Sequence, residues 1–312
     1  MSLISNIKQV FTKKESSHKL GISLRQNSLA YCFVPQENSS SLTAKCQQLT
    51  TSNDKYVEDL TDFSSHHSVQ GQCQLVLSAE QYQMIQVEKP DVPESEIAGA
   101  LKWQIKDLVP YSPDDMVLDY FYAPVQQGVA EKLYVICTPL NALKPIVSTL
   151  MNEDISLTAI TVEEFAFANL LPFSDDAQLM LCQQPDEEVF ITIVKQGRLC
   201  FHRRLRGFAQ LGSKSEEELS FGAIDSLSLE IQKSTDYFER QLKQSMIRSI
   251  QVILPIATES YIISKLAENT NIKVNPLALP EEFVSSRDMA AAIGATMVDK
   301  AVVENKEMND DQ

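Results

Sequence analysis

Apolar positions follow two rhythms along the chain. Near the start, short runs are alternating or continuously apolar and are separated by polar stretches: LGISL (20–24), LAYCFV (29–34), TAKCQQL (43–49), QLVLS (74–78) and YQMIQVE (82–88). Runs of this length bounded by polar connections predict β-strands, and the alternation in QMIQVE fits a half-buried one. Between the third and fourth, KYVEDLTDF predicts a short helix.

The rhythm then changes. Asp91 and Pro93 open a helix, since proline fits a first helical turn and a carboxylate can cap it. Ile97, Leu101, Ile105 and Leu108 recur every three or four residues and give that helix one apolar face, which Pro110 and Pro113 end. Two strands follow, MVLDYFYAPV and KLYVICT, joined by a turn at Gly128, and a helix, PLNALKPIVSTLM, completes an α-β-β-α unit.

From residue 156 a strand, SLTAITV, and a helix, EEFAFANLL, lead into three strands: AQLMLCQ, EVFITIVKQ and RLCFHRRLR. A helix over 225–245 carries Leu227, Ile231, Phe238 and Leu242 on one face. Strand SIQVILPI, helix SYIISKLAEN, strand IKVNPLAL and helix RDMAAAIGATMVDKAV complete the pattern. A three-strand start thus occurs in both halves, which predicts two related α/β lobes with mixed sheets. The predicted division is an N-terminal segment (1–19), the start of the first lobe (20–89), an inserted subdomain (90–155), the rest of the first lobe with the second (156–302), and a charged, disordered tail (303–312).

Length supports two lobes, because 312 residues exceed what one core usually serves. A hydrophobic content of 44% allows a sizeable core. No apolar run approaches the roughly 18 residues of a membrane-spanning helix, and the N-terminus lacks the apolar region and cleavage site of a secretory signal. A formal net charge of −15 disfavours nucleic acid and acidic lipid as partners. The first twenty residues are mildly basic (Lys8, Lys13, Lys14, Lys19), as a solvated tail or a weak membrane contact would be. Six cysteines without a CxxC pair, mostly in apolar runs, read as buried free thiols of a reducing compartment. His66 and His67 are adjacent, which on a strand sends them to opposite sides, so they make no metal clip.

Glycine is scarce. There are nine, and the nearest pair, Gly207 and Gly212, is five residues apart. Phosphate cradles need adjacent inward N–H groups, often at positive φ, where glycine is favoured. GFAQLGSK (207–214) approaches a P-loop, but Ser213-Lys214 reverses the order that places the ammonium and the hydroxyl. The basic run His202, Arg203, Arg204, Arg206 predicts a strand paired to nearby carboxylates, with an acidic partner as the alternative. Asp114, Asp115, Asp119, Glu163 and Glu164 sit where turns and helix starts explain them. No catalytic triad or metal set stands out. Trp103 lies beside the apolar stripe of its helix, where it either covers an edge or anchors a partner.

VEKPDVPESEIAGALKWQIKDLVPYSPDDMVLDYFY (87–122) resembles the PilM family of type IV pilus assembly proteins, with Trp103, Pro110, Tyr111, Leu118, Asp119 and Tyr120 at motif positions. SLSLEIQKSTDYFERQ (226–241), AAAIGATM and GRLCFHRRLRGF resemble further family segments in the same order, and the greatest likeness is to the branch serving mannose-sensitive haemagglutinin (MSHA) pili. The resemblance implies an α/β, actin-like (ribonuclease H-like) two-lobed fold with an inserted α/β subdomain. It implies a cytoplasmic platform, peripheral to the inner membrane, that binds the cytoplasmic tail of a PilN-like bitopic protein. Trp103, Tyr111 and Tyr120 are the expected partner-binding residues. The family's phosphate loops are altered. The first has Ser23 and Arg25 after Gly21, where the family has aspartate and glycine; the second reads Gln183-Gln184-Pro185; the third falls near Pro255. These losses imply no cofactor, with ATP disfavoured, and a pseudo-ATPase. The alternatives are an active actin-like ATPase or a small-molecule kinase, and the latter needs a catalytic aspartate that the motifs do not place.

Overall fold

A computed structural model of the chain describes residues 18–297, apart from residues 27, 36–42, 51–55, 67–71, 127 and 153–154 and the side chains of residues 62–66. The N-terminal segment to residue 17, His67 with the side chain of His66, and the tail lie outside the described residues. The chain divides into two units: one holds residues up to Glu163 together with Ala291–Thr296, the other Glu164–Ala290.

The first unit begins with β1 (Lys19–Leu24), β2 (Ser28–Val34) and β3 (Lys45–Thr50), an antiparallel meander, followed by α1 (Tyr56–His66) and β4 (Gln72–Leu77). β4 pairs parallel to β1, and β8 (Ser156–Val162) pairs parallel to β4, so the strand order is β3-β2-β1-β4-β8. β1 is buried from Leu20 to Leu24, as expected of a central strand. The short helix α8 (Ala290–Ala295) crosses it so closely that a Cβ on Gly21 would lie 2.0 Å from the Ala292 carbonyl oxygen. Gly21 therefore serves packing: only a residue without a side chain lets the two backbones meet.

A second sheet in this unit, ordered β5-β7-β6, is formed by β5 (Gln83–Glu88), β6 (Met116–Tyr122) and β7 (Lys132–Pro139), all antiparallel. The QMIQVE strand, which the sequence pattern puts with the opening strands, thus pairs with β7 of the inserted element, which is β-α-β-β-α in order. α2 (Ile97–Gln104) covers one face, with Ile97, Leu101 and Ile105 fully buried against Leu118, Leu133, Val135 and Cys137. The helix ends at Gln104, before the expected prolines, and Leu108 is 58% exposed while Val109 takes its place in the core. Pro93 caps a 3-10 turn over Glu94–Glu96 ahead of α2, so Asp91 caps nothing there. α3 (Leu140–Asn152) buries Leu143, Ile146 and Leu150 and packs against α1 and β8.

The second unit repeats the first arrangement. After α4 (Glu163–Ala168), β9 (Ala177–Cys182), β10 (Phe190–Lys195) and β11 (Arg198–Arg204) form an antiparallel meander. β12 (Ile247–Ile253) pairs parallel to β9 and β13 (Lys273–Pro276) parallel to β12, giving the order β11-β10-β9-β12-β13. The helix expected over 225–245 starts earlier, in α5 (Glu216–Glu218), where Ser215 and Glu218 form a reciprocal capping box. It kinks at Phe221 and Gly222 before α6 (Ile224–Asp236) and ends in a π-turn over Tyr237–Gln241. Leu227, Ile231, Phe238 and Leu242 are buried together as their spacing predicts, with Ile262 and Leu266 of α7 (Glu259–Asn269) in the same core.

Candidate functional site

The three aromatic residues expected to bind a partner all lie on the inserted element. Trp103, near the end of α2, is 65% exposed, with Lys106 Nζ 6.0 Å from its ring centre. Tyr111 is part-buried against the α2-facing core and donates its hydroxyl hydrogen bond to Cys137 Sγ at 3.1 Å. Burial and that bond push its ionisation well above the usual tyrosine range. Cys137 pairs with Leu118 across the sheet, and Tyr120 lies two residues along β6, so Tyr111 and Tyr120 share this face at neighbouring positions. The sequence pattern does not single out Glu94 or Tyr122. Tyr120 donates to Glu94 Oε1 at 3.0 Å, and Tyr122 donates to the same carboxylate at 3.0 and 3.2 Å. Burial, then Glu94, push the Tyr120 hydroxyl up to about 12. The two rings meet edge to face at 6.4 Å. β6 is an edge strand, and on its other face Phe121 stacks on Tyr134 at 5.0 Å.

In the first unit the segment that the resemblance aligns with a phosphate loop is packed inward. Ser23 is fully buried and Arg25 is 1% exposed. The Arg25 guanidinium donates to Gln48 Oε1 of β3 at 3.2 Å, its N–H donates to the Ser28 carbonyl at 2.9 Å, and its carbonyl accepts the Tyr56 hydroxyl. A buried cation is tolerable only with such partners. Where the family resemblance puts a phosphate-facing glycine, this chain has an arginine engaged with its own sheet.

In the second unit the equivalent loops leave β9 and β12. Gln183 is buried, and its side-chain amide donates to the carbonyls of Glu187 (2.8 Å), Phe208 (3.3 Å) and Ala209 (3.3 Å). The Glu188 carboxylate accepts from Gly207 N–H at 2.9 Å through one oxygen and from Phe208 N–H at 2.7 Å through the other. Gly207 has φ +88°, the left-handed region that turns consecutive N–H groups toward one point. GFAQLGSK therefore does form a small anion nest, filled by a carboxylate of the same chain. After β12, Glu259 Oε1 accepts from Leu254 N–H at 2.7 Å and from Arg287 Nη2 at 2.6 Å, while Arg287 also donates to the Val252 and Leu277 carbonyls. Ile256 packs against Gly212 so closely that a Cβ there would lie 2.8 Å from Ile256 Cγ2. Pro185 and Pro255 have no N–H to offer a phosphate.

The basic run is engaged with acids. Arg203 pairs with Glu230 at 2.7 Å. His202 and Arg204, on one face of β11, approach the fully buried Glu164 at 3.1 and 3.4 Å, and the Arg204 guanidinium lies 5.2 Å from the Phe190 ring centre. The His202 contact is one of proximity: Nδ1 makes no hydrogen bond, and the ring carries charge only when protonated. Burial, opposed by Glu164 and assisted by Arg204, lowers the His202 pKa. β11 ends at Arg204, so Arg206 lies beyond the strand, where it is exposed. Among the described residues no group of three potential ligands could hold a metal, no helix is long and apolar enough to cross a membrane, and the six cysteines form no disulfide.

No protein-family model matches the chain, and no curated protein matches its sequence. Its likeness to known proteins is structural. A PilM–PilN type IV pilus biogenesis complex contains a chain similar to it with a TM-score of 0.64 at 14% identity, covering 91% of this chain and 99% of that one. The cytoplasmic domain of EpsL, an inner-membrane component of the type II secretion system of Vibrio cholerae, is similar with a TM-score of 0.52 at 13% identity, covering 87% and 94%. At such identities the likeness establishes a common fold. With the strand order repeated in both units, that fold is the expected actin-like, ribonuclease H-like α/β fold.

Proposed function

We propose that this chain is a non-catalytic docking platform of actin-like fold for type IV pilus assembly, of the MSHA-serving branch of the PilM family. It would act in the cytoplasm at the inner membrane, recruited there by the cytoplasmic tail of a PilN-like bitopic protein. The observation that carries the reading is the near-complete structural overlap with the PilM–PilN complex chain by a protein whose loops are engaged with its own side chains. Glu188 and Glu259 occupy backbone N–H groups of the kind a phosphate would need, and Arg25 and Gln183 spend their own donors on this chain, which supports loss of ATP binding rather than turnover.

Docking would use the inserted element. The β6 edge can extend its sheet with an added strand, and Trp103, Tyr111 and Tyr120 offer aromatic surface beside it. The test is co-purification of the protein with a membrane-anchored, PilN-like pilus protein from the same cell. Recovery of the PilN-like protein is expected, and its loss in a Trp103→Ala/Tyr120→Ala double variant that still folds. Full retention by that variant would remove these residues from the site. No recovery by the unaltered protein would remove the platform reading.

A further inference from the structure

The loop after β11 has the chemistry of an oxyanion site, and this chain keeps it filled. Two consecutive N–H groups, of Gly207 and Phe208, converge on Glu188, each meeting a different carboxylate oxygen, at 2.9 and 2.7 Å. The positive φ of Gly207 is the backbone state that creates such a nest. The geometry does not depend on sequence neighbours. Glu188 precedes β10, and Gly207 follows β11, so they meet across the open end of that strand pair, where Leu205 N–H still donates to the Val189 carbonyl. After β12 a single N–H, that of Leu254, also meets a carboxylate of this chain, Glu259, and Arg287 adds a guanidinium to the same oxygen. Both loops thus present backbone N–H groups to an anion, and in both the anion is covalently part of the fold.

We propose that Glu188 is the resident ligand of a backbone oxyanion site at Gly207–Phe208, and that an external oxyanion of the phosphate or carboxylate class would occupy the site if Glu188 were removed. The inference rests on the reading of these loops as self-occupied and deepens it. An intrinsic carboxylate holds the loop in its anion-bound form, and an incoming phosphate would have to displace a tethered competitor. The Gln183 amide, donating to the Phe208 and Ala209 carbonyls, fixes the other side of the same loop, so the nest remains shaped when its anion is exchanged.

Chemical rescue of the full chain tests this. Glu188→Ala is expected to lower the thermal midpoint and to speed amide exchange at Gly207 and Phe208. Inorganic phosphate, and separately acetate, should restore both saturably, beyond their effect on the unaltered protein and beyond chloride at equal ionic strength. Glu188→Gln, which keeps the volume but places an NH₂ against an N–H, should show the same loss. A Glu188→Ala protein with Gly207 and Phe208 amides as protected as in the unaltered chain, or one that phosphate and acetate do not restore, overturns the proposal. If neither variant folds, the unaltered protein decides: the Gly207 and Phe208 amides should exchange slowly although Gly207 is exposed, and exchange as fast as an unprotected amide overturns the proposal. Mg-ATP binding by the unaltered protein would instead contradict the proposed function and leave this test standing.

Discussion

Gln183 and Glu188 grip the same residue from opposite sides: the Gln183 amide donates to the Phe208 carbonyl, and the Glu188 carboxylate accepts from the Phe208 N–H. The sign of each group matters. Gln183→Ala leaves three carbonyls without their buried donor and should lower stability by about 1–3 kcal/mol. Gln183→Glu should be worse, because a carboxylate would face the same three carbonyls. Urea unfolding midpoints of the two variants check the order.

Calorimetric titration of the unaltered protein with Mg-ATP should give no saturable heat. A micromolar dissociation constant, about −8 kcal/mol, would favour the active ATPase reading.

Two glycines should answer oppositely to the same substitution. Gly21→Ala puts a methyl 2.0 Å from the Ala292 carbonyl oxygen, a backbone atom, and should destabilise by about 1–3 kcal/mol or more, or prevent folding. Gly99→Ala, inside α2 with nothing within 4 Å of the added atom, should stabilise by about 0.5–1 kcal/mol. Denaturant unfolding of both variants distinguishes a packing glycine from a conformational one.

Trp103 and Leu101 stand two residues apart on α2 but differ in burial. Trp103→Ala should leave stability within about 0.5 kcal/mol of the unaltered protein, whereas Leu101→Ala should lose about 2–5 kcal/mol. A large thermal shift in Trp103→Ala would assign that side chain to the fold and undermine its use in docking.

The lowered pKa of His202 gives stability a pH dependence of fixed sign. The folded state favours neutral imidazole, so this contribution is complete above the unfolded value near 6.5 and is lost as pH falls below it toward the folded value. The slope is at most about 1.4 kcal/mol per pH unit for one proton. The stability difference between the unaltered protein and His202→Gln, followed from pH 7.5 downward, should be flat above about 6.5 and change below it. A constant difference would show that the ring has the same pKa folded and unfolded, and a difference that changes above about 6.5 would show that Glu164 outweighs burial and raises it.

Periodicity made most of the fold legible. The three-strand openings of both halves, the buried stripe of Leu227, Ile231, Phe238 and Leu242, and the aromatic-bearing insert follow from local spacing. Errors arose where partner choice is non-local. QMIQVE alternates identically whether it pairs with β4 or β7, and only the tertiary structure sends it to β7. Leu108 fits a helical stripe, but the helix has already ended, and Val109 enters the core instead. At the loops, the exchanged residues Arg25, Gln183 and Pro255 are visible in the sequence, but what they engage is not. Glu188 is 19 positions from Gly207, and no spacing rule links a carboxylate before one strand to a turn after the next.

An anion tethered to the backbone has no concentration. A protein that binds a diffusible nucleotide gains stability with every rise in its supply and loses it when the supply falls. Loops closed by Glu188 and Glu259 carry no such dependence, so their order should be the same in a starved cell as in a well-fed one.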